Sequence, residues 1–348
     1  MTAVGPIAIR RCYVTCAACQ QGEFAADRLL GLAGYLSTGA ARMACLAGVQ
    51  QSFARAEQLL EELAGWALDD DTIRRVCHQT AQRAQAERDQ RATATRFAKA
   101  DGDYELHIDA GKVNTLEGWR DVKMAIFARR PRGTPVTTAA WDERRLPAPS
   151  VRAVLAAVEE ASLFGARCAG EARRLHWPEA APFSVLGDGA EWIWNLQQQH
   201  FPAADGVLDV FHARSHVADG AKSVFGEGHA DTSKQMERGQ QMLLADGYVG
   251  VTAWVGELAG QIPVGGDGAA LGSLLNYFAA HQERLNYAVR LYRGQSIGSG
   301  LVEGSIKQMI NLRMKRTGAR WKVAHVAPFV ELRALAVGPE WNAFWSLA

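Results

Sequence analysis

Residues 104–111 read Tyr-Glu-Leu-His-Ile-Asp-Ala-Gly, and this stretch decides the fold class of the chain. Its apolar and polar residues alternate as far as Asp109, a pattern that predicts a β-strand with one face turned towards a core. Residues 122–128 and 135–141 are two more runs of strand length, separated by glycine and proline. The sequence therefore predicts three consecutive strands, the first of which ends at an acid.

Helical and strand-like patterns alternate after these runs. Residues 150–174 repeat apolar side chains at helical spacing, residues 183–187 and 207–211 are strand-like, and residues 190–200 between them are helix-like. The order strand, strand, strand, helix, strand, helix, strand predicts an α/β fold with a mixed sheet. The ribonuclease H arrangement is one fold with this order.

The rest of the chain divides into four units around this core, which we place at residues 101–212. Residues 1–35 contain a cysteine cluster, residues 36–100 have a helical pattern, and residues 213–296 have several helix-like stretches without a strand signal. Residues 297–348 begin with a predicted helix whose apolar residues repeat at three and four positions. We expect residues 213–296 to be a helical insertion into the core.

The region 36–100 contains a candidate helix-turn-helix. A helix that closes at Gly65 is followed by Asp69, a residue type that caps the next helix, and that second helix turns Arg74 and Arg75 outwards. Two helices joined by a short turn, with arginine on the second, are typical of a DNA-binding helix-turn-helix. An ordinary helical hairpin with a solvated charged face fits the same pattern.

Three cysteines lie within eight residues near the start of the chain. Cys12, Cys16 and Cys19 include one pair at the two-residue spacing of a zinc knuckle. Tetrahedral zinc takes four ligands, commonly as two such pairs, and no second pair follows. The segment resembles half a zinc ribbon, and unligated or partly buried thiols are the alternative.

Charge and apolar runs limit the classes of protein that fit. Lys and Arg number 38 and Asp and Glu 37, for a net charge of +1, so a nucleic-acid surface must be local. The sequence has no apolar run of the roughly 18 residues that a membrane span needs, and residues 1–11 do not resemble a secretory signal. We expect a cytoplasmic protein, associated with the bacterial nucleoid, that does not enter a membrane.

Three acids form the candidate catalytic set. Asp109 and Asp188 each follow a predicted strand and precede a glycine turn, and Glu303 lies early on the predicted helix that starts the last unit. Three carboxylates brought together repel unless a hard cation lies between them. Two Mg²⁺ or Mn²⁺ ions roughly 4 Å apart can activate a nucleophile for attack on a phosphodiester. Plain Asp-Gly turns are the alternative for the two aspartates.

A basic stretch follows Glu303. Residues 304–322 contain no acid but six cationic side chains, which are Lys307, Arg313, Lys315, Arg316, Arg320 and Lys322. A helix that offers one metal ligand and then a row of cations suits a DNA backbone entering the site. A basic helix end that complements the helix dipole is the alternative.

Three blocks of this sequence resemble one family. They are His107 to Gly111, Gly187 to Ile193, and Ser299 to Glu303 continuing to Arg313-Met-Lys-Arg-Thr-Gly-Ala-Arg-Trp321. Together they are similar to the DDE transposases of the ISKra-type insertion sequences, within the Mutator-like group, over about residues 10–335. Members also carry a Cys or Asp, two residues, then His after the second aspartate, which Asp209 and His212 match.

The resemblance implies a ribonuclease H-like core in which Asp109, Asp188 and Glu303 bind metal. Asp209 and His212 are expected near this site, in a supporting or DNA-contacting role. The resemblance also implies an N-terminal zinc ribbon and helix-turn-helix that bind transposon ends, and a homo-oligomer acting on paired ends. Members have further sequence, including a partner cysteine pair, before the Cys12 segment, so a shortened chain or an incomplete ribbon is expected.

The sequence thus predicts a DNA transposase that cuts insertion-sequence ends and joins the 3′ hydroxyl to target DNA. Two alternatives stay open: a catalytically silent DNA-binding regulator descended from such an enzyme, and a structure-selective nuclease with the same core. His212 and His216, four residues apart, could instead ligate a second metal, although a structural pair is the commoner case.

Overall fold

The N-terminal segment forms two short antiparallel hairpins and one short helix. A computed structural model describes residues 1–33, 35–179, 182–262 and 268–346, without the side chains of residues 28, 29 and 33. The first elements are β1 (Tyr13–Thr15), β2 (Gly22–Phe24), α1 (Ala25–Leu29), β3 (Leu32–Ala33) and β4 (Leu36–Ser37). β1 pairs with β2, and β3 pairs with β4.

Four helices follow, as the sequence predicted for residues 36–100. They are α2 (Thr38–Gln50), α3 (Phe53–Ala64), α4 (Asp70–Ala86) and α5 (Thr93–Lys99). α3 ends at Gly65 in the left-handed conformation, with φ of 63°. Asp69 caps α4, because its carboxylate accepts the Thr72 N–H at 2.8 Å. Both predicted helix boundaries are confirmed.

A mixed five-stranded sheet lies at the centre of the chain, which confirms the predicted α/β class. Its elements are β5 (Asp103–Thr115), β6 (Gly118–Arg130), β7 (Val151–Ala157), α6 (Ala161–Arg174), β8 (Phe183–Gly187), α7 (Glu191–His200) and β9 (Asp205–Leu208). The strand order is β7-β6-β5-β8-β9. β5, β6 and β7 are antiparallel neighbours, whereas β8 and β9 run parallel to β5.

Two predicted elements were wrong. Residues 135–141 do not form a strand, because Pro135 has no N–H to give to a sheet. The segment instead contacts a later helix, where the Val136 N–H donates to the Leu291 carbonyl at 3.1 Å. The third strand is β7, which the sequence predicted as the start of a helix. Its alanines and valines are buried on both faces of the sheet, and such a run has no clear two-residue period.

Two predicted strand ends were also displaced. β5 continues past Asp109 to Thr115 in a long hairpin with β6, so this acid lies inside a strand rather than at its tip. β9 ends at Leu208, and a helix that begins at Val210 replaces the predicted end of the strand.

The described remainder of the chain consists mainly of helices joined by loops. Its helices are α8 (Val210–Phe225), α9 (Ala230–Ala259), α10 (Ala269–Ala280), α11 (Tyr287–Tyr292), α12 (Gly300–Ile306), α13 (Leu312–Met314), α14 (Val323–Val337) and α15 (Trp341–Ser346). A π-helical turn, Lys307–Asn311, joins α12 to α13. The described part of residues 213–296 contains no strand, and residues 263–267 lie outside the description.

Two hydrophobic clusters hold these elements together. One joins the sheet to α6, α7 and the helices between residues 210 and 291. The other joins the helices of residues 36–86 to the far half of the β5–β6 hairpin and to residues 302–345. The N-terminal helices therefore share a core with the C-terminal helices. Within the described ranges, no helix has both the length and the apolar character needed to cross a bilayer.

Candidate active site and nucleic-acid interface

Asp109 and Asp188 lie side by side on neighbouring parallel strands. The register pairs His107 of β5 with Leu186 of β8, so two residues further along, Asp109 stands beside Asp188. Neighbouring strands are about 4.8 Å apart, and equivalent positions of parallel strands face the same side of the sheet. The predicted pair of aspartates is therefore adjacent in space, although 79 residues separate them in the sequence.

Asp209 extends this row to a third strand. β8 pairs with β9 through Gly187 and Leu208, and the Asp209 N–H donates to the Gly187 carbonyl at 2.7 Å. The three aspartates thus occupy equivalent positions across β5, β8 and the end of β9; we call them the acid row. Asp209 is buried, with 1% of its surface exposed.

Glu303 is linked to the acid row through one serine. The Ser299 hydroxyl lies 3.0 Å from Glu303 Oε1 and 3.1 Å from Asp209 Oδ2, and can donate its single proton to either. The Ser299 N–H also donates to Asp209 Oδ2 at 2.6 Å. These contacts fix the start of α12 against Asp209, one turn before Glu303.

Gly111 allows α12 to approach β5. A Cβ at this position would lie 2.8 Å from the Ile306 side chain, which is closer than side-chain atoms pack. Because Gly111 and Asp109 are two residues apart on one strand, they share a face of the sheet. The helix that carries Glu303 therefore packs on the face that carries Asp109.

The electrostatics of Asp109 confirm that the acids are close. The pKa of Asp109 is raised to about 6, chiefly by burial and also by the charges of Asp188, Glu303 and Asp209, although a hydrogen bond from the Ala110 N–H lowers it. That hydrogen bond reaches Oδ1 at 2.6 Å. Asp188 Oδ1 similarly accepts the Ala190 N–H at 2.8 Å. One oxygen of each carboxylate is thereby held in place by a nearby backbone N–H.

The donor set suits a hard cation. Carboxylate oxygens are the ligands that Mg²⁺ and Mn²⁺ take in proteins, and Asp109, Asp188 and Glu303 each carry such a group. Both oxygens of Asp209 are already engaged, because Oδ1 accepts the His212 N–H at 2.7 Å and Oδ2 is held by Ser299. In the ranges that the structure describes, no three His, Cys, Asp or Glu side chains are already drawn together as a ligand set.

Asp209 and His212 are related differently from what the motif suggests. The Asp209 carboxylate caps α8 by binding the backbone of His212, not its ring. The His212 ring instead packs edge-on against His216 at 5.1 Å, and both rings contact Tyr277 of α10. The Asp-x-x-His spacing is here a helix N-cap.

Tyr277 is a site residue that sequence reasoning missed. Burial raises the pKa of its phenol, and the charges of Asp188 and Asp209 raise it further. No sequence signal marks it, because Tyr277 lies 68 residues beyond Asp209 on a helix of unremarkable pattern.

Five of the six basic residues after Glu303 are exposed, and one is not. Lys307, Lys315, Arg316, Arg320 and Lys322 face solvent. Arg313 is 3% exposed; its Nε donates to the Gly48 carbonyl at 2.9 Å, and its guanidinium lies 4.6 Å from the Phe53 ring. The buried Arg313 side chain ties α2 to the C-terminal helices, and its contact with a DNA backbone stays a prediction. Burial lowers its pKa to about 10.

The two sets of predicted DNA-binding residues meet in one cleft. Arg74 and Arg75 of α4 lie across from Arg320 and Lys322, and together they line a volume of about 870 Å³, here called the basic cleft. Leu116, which follows β5, lies with residues of α4 and of the 319–325 segment in this lining, and Trp321 pairs with Thr115 at the end of the hairpin. Separation along the chain hid this convergence from sequence analysis.

His78 and His325 also line the basic cleft, and the sequence did not single them out. Their ring centroids are 4.0 Å apart. The pKa of His78 is lowered to about 4, chiefly by burial and also by the charge of His325. His78 lies one helical turn after Arg74, a spacing that places both on one face and could have identified it.

Arg74 and Arg75 each contact a polar side chain near the protein surface. Arg74 pairs with Asp71 at 2.7 Å, and both side chains are more than half exposed. Arg75 lies 3.2 Å from the Tyr35 hydroxyl. Such exposed contacts contribute little and exchange readily for a phosphate.

The cysteine segment forms the turn of the β1–β2 hairpin. Cys12, Cys16 and Cys19 are exposed, whereas Cys45, Cys77 and Cys168 are buried. Backbone N–H groups of Cys19 and Ala18 donate to the Cys16 sulfur and lower its pKa. A sulfur that accepts two N–H bonds is stabilised as a thiolate, the form that binds zinc. Zinc binding by these three exposed thiols therefore stays a prediction.

Comparison with protein-family models and curated proteins found no match for this chain. No protein-family model matches the chain, and no curated protein is significantly similar to it. The function is therefore inferred from the arrangement of the residues and from the sequence motifs.

Proposed function

We propose that this chain is a DNA transposase with a ribonuclease H-like core, which cuts insertion-sequence ends and transfers the 3′ hydroxyl strand to target DNA. One observation carries the proposal: Asp109 and Asp188 are adjacent on parallel strands, and Ser299 connects Glu303 to the same row. The order of strands, with two parallel strands added to an antiparallel hairpin sheet, and the helical region before Glu303 support the same fold family.

Asp109, Asp188 and Glu303 would hold Mg²⁺ or Mn²⁺, ions that activate a water or 3′ hydroxyl and stabilise the leaving oxygen of a phosphodiester when bound. Asp209 and Ser299 position Glu303 by fixing the first turn of α12. Lys307 follows Glu303 by one turn and is exposed, so its ammonium group can contact a phosphate next to the one being cleaved.

The basic cleft would bind the DNA backbone away from the acids. Arg74, Arg75, Arg320 and Lys322 supply four cations on opposite walls of one cleft, which suits a phosphate backbone better than either pair alone. Thr115, beside the cleft, lies six residues beyond Asp109 on β5, a distance of about 20 Å at the rise of a strand. A single duplex is long enough to contact both places.

A DNA-binding regulator without catalysis is a second candidate, favoured by the basic cleft, which needs no acid to bind DNA. Zinc at Cys12, Cys16 and Cys19, a homo-oligomeric assembly on paired ends, and a bacterial nucleoid location belong to the transposase proposal as expectations.

Cleavage of a supercoiled plasmid that carries the coding region with its genomic flanks tests the proposal. With Mg²⁺ or Mn²⁺, we expect strand cleavage at the flanks, joined products, and loss of both on Asp188→Asn. Binding without cleavage by the unsubstituted chain would favour the regulator. Cleavage governed by branch geometry, without joining, would favour a structure-selective nuclease.

A further inference from the structure

The phenol of Tyr277 lies over the edge of the acid row. A Cβ at Gly189 would collide with the Tyr277 hydroxyl, so this oxygen lies directly against the residue that follows Asp188. Asp188 and Asp209 are both close enough to act electrostatically on the phenol. The hydroxyl thus lies at the edge of the acid row, against Gly189, which follows Asp188 in the sequence.

This hydroxyl has a proton to donate and, in the described part of the chain, no acceptor. Tyr277 Oη is buried, and no hydrogen-bond partner for it exists among the described residues. A buried hydroxyl without a partner is unfavourable and calls for an explanation. A phenol that is protonated near neutral pH has a proton to donate, so an acceptor placed beside it would satisfy this group.

The ring is held rigidly by two histidines. His216 of α8 stacks on Tyr277 at 3.8 Å with an angle of 28° between the planes, and His281 contacts the ring edge at 4.9 Å. His281 in turn hydrogen-bonds to the backbone of Gly189. The ring is therefore placed before any ligand arrives, as preorganised donors in active sites are.

We propose that Tyr277 donates a hydrogen bond to a non-bridging oxygen of a phosphodiester bound at the acid row. The inference rests on the proposed function for the identity of the ligand, because a phosphodiester is the anionic acceptor which that chemistry brings there. Such a donor stabilises the charge that grows on the phosphoryl oxygens during in-line attack. His216 is a positioning residue, which acts through the ring of Tyr277.

NMR of the protein labelled with ¹³C at the tyrosine ring carbon that bears the hydroxyl gives a test that needs no catalysis. The Tyr277 signal is identified as the one that Tyr277→Phe removes. In Ca²⁺ buffer the thymidine dinucleotide TpT is titrated, followed by its methylphosphonate analogue, in which a methyl group replaces one acceptor oxygen. We expect the Tyr277 signal to shift with TpT and not with the analogue. Any other pattern, including no shift with either, would overturn the proposal.

Two sets of variants provide the second readout. If the plasmid is cleaved, we expect Tyr277→Phe to lower the single-turnover rate roughly tenfold to hundredfold, the effect of one hydrogen bond to a charged group. Tyr292→Phe, at a tyrosine that is 77% exposed on α11, is the matched control and should leave the rate unchanged. His216→Phe, which keeps a ring for stacking, should preserve the rate that His216→Ala lowers. Full activity in Tyr277→Phe would contradict the proposal.

The two proposals fail in different ways. A Tyr277 signal that responds to TpT in a chain that never cleaves DNA would keep the hydrogen bond and reject the transposase. If the chain cleaves DNA and loses cleavage on Asp188→Asn, but TpT does not shift the Tyr277 signal, the transposase proposal stands and the hydrogen bond is rejected.

Discussion

The Ser299 N–H donates to Asp209 Oδ2 at 2.6 Å, and this contact joins the end of the β9 strand to the helix that carries Glu303. Both residues are buried, and neither belongs to the proposed metal ligands Asp109, Asp188 and Glu303. The position of Glu303 therefore depends on a carboxylate 94 residues earlier in the chain. The Asp209 carboxylate therefore has two roles. Oδ2 holds the start of α12, and Oδ1 caps α8.

Asp209→Asn should weaken DNA cleavage while sparing DNA binding. The amide keeps one acceptor oxygen, so either the α8 cap or the Ser299 contact loses its partner, at a cost of about 1–3 kcal/mol in the free energy of unfolding. Urea unfolding and plasmid cleavage measure the two effects. Asp219→Asn, at an exposed position on the same helix, is the control. Unchanged cleavage in Asp209→Asn would show that Glu303 does not depend on the Ser299 contact.

The raised pKa of Asp109 predicts a pH-dependent stability difference in metal-free buffer. The folded chain holds a proton on Asp109 up to about pH 6, whereas the unfolded chain releases it near 3.8. The unfolded state therefore binds fewer protons in this window, and this acid lowers the stability of the fold as the pH rises through it. Above about pH 6 the loss is complete.

Asp109→Asn removes that effect and should be more stable than the unsubstituted chain at neutral pH. After allowance for partial solvent screening, we expect a gain on the order of 1–2 kcal/mol that shrinks towards pH 4. Urea unfolding of both proteins across this range, with EDTA present, measures the difference. A gap that does not vary with pH would contradict the account of Asp109.

Arg313 should matter for stability and not for DNA. Its guanidinium lies among Phe53, Trp321 and Phe329, so Arg313→Ala removes a buried stack and should cost about 2 kcal/mol or more. Thermal unfolding tests this expectation. DNA affinity at a temperature where the variant is folded should equal that of the unsubstituted chain. A specific loss of affinity with unchanged stability would support Arg313 as a phosphate contact.

The basic cleft predicts the opposite behaviour for its own cations. Arg74→Ala and Lys322→Ala should each weaken binding to a mixed-sequence duplex and reduce the slope of log affinity against log salt by about 0.9. Fluorescence anisotropy across a salt series gives the slope. Arg238→Ala, which removes an exposed ion pair with Glu257 on α9, is the control. If all three variants had the same slope of log affinity against log salt, the DNA would bind outside the basic cleft.

The parts of this fold that sequence could predict are those set by local chemistry. Gly65 and Asp69 fixed a helix end and a helix start because each acts on its own neighbouring backbone. The β7 strand was misread because Val151–Ala157 is buried on both sides, which removes the two-residue period that distinguishes a strand from a helix.

The sequence could not predict how residues that are distant along the chain come together in space. The motif residues Asp109, Asp188 and Glu303 were found by their neighbours, yet their approach depends on strand register and on Gly111 admitting α12. Tyr277 carries no motif and reaches the acid row only through the packing of α8 on α10. Burial of Arg313 likewise arises from helices that are distant in sequence.

Binding of Mn²⁺, followed by electron paramagnetic resonance in the presence of duplex DNA, tests most directly whether the acids converge on a metal. We predict that Asp109→Asn, Asp188→Asn and Glu303→Gln each weaken Mn²⁺ binding strongly, while Asp205→Asn, at an exposed residue of β9, leaves it unchanged. If Glu303→Gln or Asp188→Asn bound Mn²⁺ as tightly as the unsubstituted chain, the proposed metal site would be wrong.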